Sequence, residues 1–121
     1  MAYIPEDARW YLAELVVEFR IEGEIENLVH INIVLVEAAS PDQAYEKAMS
    51  LGRDHQMNYT NTDGKSVAAI FRGLRDLNVI HGELEHGTEL IYEKLTGLPE
   101  SRVAGLVSGR EDLGVFAPVP S

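Results

Sequence analysis

The chain contains no cysteine. Disulfides, thiol nucleophiles and thiolate metal sites are therefore excluded together, and a reducing cytoplasm is the expected location. Basic residues are also scarce, because ten Lys and Arg stand against twenty Asp and Glu, for a formal net charge of −10. Binding to phosphate backbones needs clustered basic side chains, so we expect neither nucleic acid nor an anionic membrane surface as a partner. An acidic chain can instead meet a basic protein, although its charge also simply keeps it soluble.

Long apolar runs and catalytic motifs are missing as well. The apolar runs are short and interrupted, so we expect no membrane span. The first nine residues carry Glu6 and Asp7 and lack an apolar core, which predicts neither a signal peptide nor an anchor. No GxSxG, Walker, Rossmann or HExxH pattern occurs. The balance favours a protein that is not an enzyme and has no cofactor.

The size and composition indicate one soluble domain. The chain has 121 residues, of which 45% are hydrophobic and 25% charged, as in ordinary globular domains. We expect one domain over 1–121, with an ordered core over about 10–108 and a partly flexible tail over 110–121.

Residues 10–38 alternate as two long strands joined by a turn. A turn centred near Ile25 would pair Phe19 with Ile31 and place the apolar odd positions of both strands on one face. The second face would be apolar at one end and polar at the other. Its predicted apolar end, a candidate interface, consists of Trp10, Leu12, Val16, Val34 and Val36.

A helix is predicted from about Pro41 to His55. Ser40 with Gln43 three residues later forms a capping box, and proline suits the first helical position. Ala44 and Ala48 fall on the apolar side, so we expect this helix to cover the all-apolar face of the sheet.

The remaining elements complete an α+β fold. We predict a short strand over 57–60, an Asp-Gly turn over 61–65 and a strand over 66–77, although the last segment also fits a helix. A further strand is expected over 88–95 and a helix over 99–108. The predicted architecture is an antiparallel sheet of four to five strands in the order β-β-α-β-β-β, with one helix packed on a face and a short C-terminal helix.

Three short segments resemble landmarks of a small bacterial family of unknown function. They are Trp10-Tyr11-Leu12-Ala13-Glu14-Leu15, Phe71-Arg72-Gly73-Leu74-Arg75-Asp76-Leu77 and Gly87-Thr88-Glu89-Leu90. The resemblance covers residues 10–95 and includes the C-terminal helix. It implies a compact α+β domain and no particular activity.

The polar end of the second face is a candidate ligand site. It would bring together Glu14, Glu18, Arg20 and His30. Carboxylates beside a histidine can do acid-base work in a pocket, whereas exposed cross-strand charge pairs are the commoner outcome.

Two other clusters have structural interpretations that compete with functional ones. His81, Glu83, Glu85 and His86 offer imidazole and carboxylate ligands for zinc or a similar ion, but Gly82 and Gly87 favour a solvated turn. A second cluster comprises Arg72, Arg75 and Asp76 around Gly73. It fits an ion pair that stabilises a bend better than an anion site.

Two functional hypotheses follow from these observations. The first is a non-enzymatic protein-interaction module, an accessory or inhibitory subunit with a basic partner. The second is a small ligand-binding or catalytic domain with a pocket between sheet and helix. Because the apolar end of the second face requires a cover, we also expect a homodimer.

Overall fold

The computed structural model describes residues 4–5 and 7–116. The last five residues of the predicted flexible tail, and Glu6 of the N-terminal segment, lie outside this range. In chain order the elements are β1 (Trp10–Ile21), β2 (Leu28–Glu37), α1 (Pro41–Asp54), β3 (Met57–Thr60), β4 (Ser66–Val79) and α2 (Glu100–Gly105), followed by a 3₁₀ turn at Arg110–Asp112. In the described part of the chain, neither helix has the length and hydropathy of a membrane-spanning segment.

Over residues 7–116, four strands form one antiparallel sheet in the spatial order β2-β1-β4-β3. The α+β prediction is confirmed, with strands and main helix in the order β-β-α-β-β. The segment 66–77, for which the sequence also allowed a helix, is a strand and continues to Val79. Its length follows from pairing with β1, which lies at the centre of the sheet.

The predicted register of the first hairpin is wrong. Phe19 pairs with Leu28, not with Ile31, and Val17 pairs with His30. The observed pairing is shifted by three residues along β2 from the predicted pairing. A shift by an odd number of residues moves every β2 side chain to the other face of the sheet. Phe19 and Ile31 therefore lie on opposite faces of the sheet. The chain turns closer to β1 than predicted, where Gly23 adopts a φ of 83° that other residues rarely tolerate.

Helix α1 covers the odd-numbered face of β1, as predicted. Ser40 Oγ accepts a hydrogen bond from Gln43 N at 3.1 Å, and Gln43 Oε1 accepts one from Ala39 N at 2.7 Å, so serine and glutamine satisfy amides at the start of the helix. The core between α1 and the sheet is made of Tyr11, Ala13, Leu15, Val36, Ala38, Ala44, Ala48 and Val79. Small alanines allow the helix to lie close to the strands.

The strand predicted over 88–95 does not form. These residues have no regular secondary structure, and Leu90, Ile91 and Tyr92 are exposed. Both sides of β1 and β4 are already paired, so a fifth strand would have had to reach an outer edge of the sheet. The C-terminal helix is also shorter than predicted, covering Glu100–Gly105, and buries none of its residues.

Candidate functional site

Within the described residues, one face of the sheet has no helix packed on it, because α1 lies on the other face and α2 buries none of its residues. We call it the open face. Alternation along the strands places there the even residues of β1 and the odd residues of β2. Beside Asp76 and Asn78, the segment after β4 lines a solvent-open cleft of about 740 Å³.

Two β-bulges in β4 supply arginines to the open face. Opposite β1, the pairing skips Arg75 between Asp76 and Leu74, and it skips Arg72 between Gly73 and Phe71. A bulge leaves one residue unpaired and redirects side chains, and Gly73 between the two arginines has a φ of 130°. The predicted bend is therefore a pair of bulges within one strand.

Each bulged arginine meets a carboxylate of β1. Arg75 Nε lies 2.5 Å from Glu14 Oε1, and Arg72 Nη1 lies 3.8 Å from Glu18 Oε1. Glu14 is only 7% exposed, and Arg75 supplies a charged hydrogen-bond donor to its carboxylate. The predicted cluster is therefore wrong in its acidic member, because the two arginines pair with β1 carboxylates and not with Asp76. Asp76 instead accepts hydrogen bonds from Leu77 N and Asn78 Nδ2.

Glu18 is held in its charged form by several donors. Asn27 Nδ2 donates to it at 2.8 Å, and Arg20 Nη2 lies at 3.3 Å. The hydrogen bond from Asn27 lowers the pKa of Glu18 most. Desolvation is the next-largest effect and raises it, and Arg20 and then Arg72 lower it by smaller amounts, so the pKa is lowered overall. A carboxylate with a lowered pKa and its oxygens occupied is a weak proton acceptor, so this arrangement favours a structural role.

The structure divides the predicted acid-base group. Glu14, Glu18 and Arg20 share the open face, as alternation predicted. His30 lies on the other face because of the register, and its ring packs against Phe19 at a centroid distance of 4.8 Å. No site combining this histidine with the carboxylates is formed by these residues.

The predicted apolar interface is divided in the same way. Trp10, Leu12 and Val16 are on the open face, although Leu12 is only 5% exposed there and offers little surface to a partner, whereas Val34 and Val36 are on the helix-covered face. Val36 belongs to the core and is 2% exposed, and Val34 packs against the same core. The assignment of Val34 and Val36 to an interface was therefore wrong, since the register prediction on which it rested was wrong.

The histidine-rich segment after β4 forms an exposed turn. Thr88 N donates to Glu85 O at 3.0 Å, and Gly87 has a φ of 89°. This segment contains the side chains that the sequence offered as metal ligands, namely His81, Glu83, Glu85 and His86. Across residues 4–5 and 7–116, no three such side chains come together as a potential metal site.

The outer edge of β2 was not anticipated from the sequence. β2 has ten residues, and in the part of the chain that the structure describes it pairs with β1 alone, whereas β3 at the opposite edge has four residues. Three of its open-face side chains are large, apolar and about half exposed: Val29 at 48%, Ile33 at 57% and Leu35 at 46%. From Leu28 to Val36 the strand has no Asp, Glu, Lys, Arg, Pro or Gly. These are the residues that usually protect an exposed edge from pairing.

The backbone of β2 alternates between its neighbour and solvent. Ala38 N donates to Arg9 O at 2.9 Å, which shows that even-numbered residues direct their backbone groups toward β1. The N–H and C=O groups of Val29, Ile31, Ile33 and Leu35 therefore point away from the sheet. At Glu37 this free edge ends, because Lys47 Nζ donates to Glu37 O at 2.8 Å and Arg9 pairs with its carboxylate.

A second cavity, of about 420 Å³, lies between the end of α1 and the sheet. Its walls include Val17, Phe19, His55, Met57 and Tyr59. His55 Nδ1 lies 2.9 Å from Leu51 O, which ties this ring to its own helix. The cavity is mostly apolar.

The molecule is thus a small α+β domain with an unprotected strand at one edge of its sheet. It belongs to the family described as Domain of unknown function (DUF4288), whose model matches residues 10–92. The matched region runs from the start of β1 to beyond the histidine-rich turn, and the resemblance to a family of unknown function is confirmed. No curated protein and no solved structure matches the chain.

Proposed function

We propose that this protein is a non-enzymatic protein-interaction module, an accessory or inhibitory subunit that binds through the outer edge of β2. The observation that carries the proposal is the row of outward backbone groups from Val29 to Leu35, with exposed apolar side chains beside it. A partner strand would add to this edge, since backbone hydrogen bonds provide affinity and alternate side chains provide specificity. The cysteine-free composition is compatible with such a role in the cytoplasm.

The polar part of the open face supports this role over catalysis. Glu14 and Glu18 are held by arginines, and the histidine once grouped with them is on the other face. Such a network stabilises the sheet beside the binding edge and presents a fixed surface to a partner.

The charge distribution indicates where a basic partner would be favoured. The hairpin tip next to β2 carries Glu22, Glu24 and Glu26, all exposed, around the fully exposed Ile25. A partner strand with a basic flank at this end would gain electrostatic attraction, mainly in its association rate.

Photo-cross-linking in the native host tests the proposal. A photoreactive phenylalanine analogue at Ile33 should give an adduct with the bound partner, and the same analogue at Tyr59, exposed at the opposite edge, should not. Ile31→Pro should abolish the adduct while keeping the fold, because it removes an N–H that points away from β1. No adduct from Ile33, or equal adducts from both edges, would refute the proposal.

The apolar cavity beside α1 supports a second candidate function, the binding of a small apolar ligand. A cavity of this size with one histidine at its rim is within the range of small-molecule sites. Titration of labelled protein with small aromatic compounds should shift NMR signals of Val17, Met57 and Ala69. Shifts that are absent, or spread over the whole sheet, would exclude this function.

A further inference from the structure

We infer that the partner at the β2 edge is a second copy of this chain, paired antiparallel with its own β2 about a two-fold axis at Asn32. The two sheets would become one continuous sheet of eight strands, four from each copy. The inference rests on the proposed function, because it uses the same edge, and it specifies the partner and the register.

The direction of the backbone groups restricts the possible pairings. Only odd-numbered residues of β2 direct N–H and C=O groups outward, so an odd residue must pair with an odd residue of the second copy. The side chains of these residues all lie on the open face. In an antiparallel dimer paired edge to edge, the open faces of the two copies must therefore lie on the same side of the joined sheet. A two-fold axis perpendicular to the sheet produces this arrangement.

The ends of the free edge determine its centre. Lys47 occupies the outward carbonyl of Glu37, and the hairpin tip begins before Leu28. The odd residues left between these limits are Val29, Ile31, Ile33 and Leu35, and the midpoint of this series is Asn32. Val29 then pairs with Leu35 of the second copy, and Ile31 pairs with Ile33.

Charge and polarity favour a second copy over an unrelated charged partner. The chain has a net charge of −10, yet the edge between Leu28 and Val36 carries no Asp, Glu, Lys or Arg, so two copies do not repel each other there. Beyond the edge, the register brings the acidic tip, with Glu24 and Glu26, to the end of the second copy at which Lys47 lies beside the ion pair of Arg9 and Glu37. This arrangement is complementary and occurs twice in the dimer.

The apolar side chains give the pairing its driving force. Val29, Ile33 and Leu35 are each about half exposed in one copy, and pairing would place them beside the same row of the second copy. Cross-strand pairs of β-branched residues stabilise antiparallel sheets. Large apolar side chains that remain exposed in a row are uncommon on monomers.

Sedimentation equilibrium of the full chain tests the association. We expect a dimer at tens of micromolar, and we expect Ile33→Lys to convert it to a monomer at the same concentration. Leu106→Lys is the matched control, because it adds the same charge at an exposed apolar residue of the C-terminal segment, and it should leave the dimer intact. Since Ile33 is 57% exposed, a lysine there should preserve the fold, which circular dichroism checks.

Disulfide trapping tests the register and is straightforward, because the chain has no cysteine of its own. Asn32→Cys should oxidise to a covalent dimer, since residues that face each other in non-hydrogen-bonded pairs have Cα atoms about 4.5 Å apart. His30→Cys alone should not cross-link, but a mixture of His30→Cys with Val34→Cys should. A pairing centred on Ile33 would instead leave Asn32 opposite Val34.

Each outcome decides the inference. A dimer that is lost with Ile33→Lys and trapped through Asn32→Cys supports it. A monomer, a dimer unaffected by Ile33→Lys, or trapping in another register overturns it. Adducts from Ile33 with a different protein, combined with a monomer in sedimentation, would retain the proposed function and refute only the second copy. Loss of all adducts at Ile33 would refute the proposed function as well.

Discussion

Replacing Gly52 with alanine tests how closely α1 lies on the sheet. Gly52 is buried near the end of α1, and an added Cβ would lie closer to the Phe71 ring than the 3.0 Å that real Cβ atoms keep. The ring tip approaches the helix backbone directly, so no other residue than glycine fits without movement. The effect of the substitution therefore depends on two opposing free energies, the gain in helix propensity and the cost of the clash with the Phe71 ring.

The magnitude follows from these terms. Alanine gains at most about 1 kcal/mol over glycine in a helix interior. Forcing extra volume into a packed contact costs about 1–3 kcal/mol. The expected result is a net destabilisation of about 1 kcal/mol, which for a domain of this size is a fall in Tm of about 4 °C.

A double-mutant cycle with Phe71→Leu measures the contact. In that background the ring is gone, so Gly52→Ala should stabilise the protein, and the sign of its effect should reverse. Ser50→Ala, at an exposed position of the same helix, is the control for helix propensity alone. Urea denaturation monitored by circular dichroism gives the free energies of unfolding. If Gly52→Ala stabilises both backgrounds equally, α1 does not rest against Phe71.

Three further predictions concern single polar groups. Arg75→Ala should lower the free energy of unfolding in urea by about 1–2 kcal/mol, because it leaves the nearly buried carboxylate of Glu14 without its charged donor. Asn27→Ala should raise the pKa of Glu18 in an NMR titration. The folded-state pKa is below the unfolded value of about 4.3. The stability that this hydrogen bond contributes is therefore present above a pH of about 4.3 and is lost as the pH falls through the folded-state pKa. Tyr11→Phe should raise the free energy of unfolding by about 1 kcal/mol, because the Tyr11 hydroxyl is buried with no partner among the described residues.

Each of these predictions has a contradicting result. Arg72→Ala is the control for Arg75→Ala, because its longer contact of 3.8 Å should matter less, and equal losses would contradict the assigned role of the short pair. A difference between wild type and Asn27→Ala that grows as the solution is acidified would contradict the direction of the pKa change. Destabilisation by Tyr11→Phe would mean that the hydroxyl has a partner after all.

Local signals in the sequence predicted β1 and α1 well. The capping box of Ser40 and Gln43 predicted the start of α1, which ends at Asp54, one residue before the expected His55. Alternation predicted β1 and placed Glu14, Glu18 and Arg20 on one face. These features depend on neighbours within one turn of helix or along one strand, so residue order alone carries the information.

The register of the hairpin depends on more distant interactions. From Ile33 to Val36 four consecutive residues of β2 are apolar, so alternation cannot distinguish the face that α1 covers. Nor does the sequence reveal that Arg72 and Arg75 are bulged residues, because a bulge exists only relative to the strand it faces.

Composition and short-range pattern by themselves determined the α+β class, the alternation of β1 and the start of α1, since these depend on residues that are close together in the chain. Only the tertiary structure decided which β2 side chains face the core, which carboxylates meet the bulged arginines, and which strand lies at the edge. Those choices are settled by pairing between strands far apart in the chain, where many registers satisfy the same local pattern and the packing of all elements selects one.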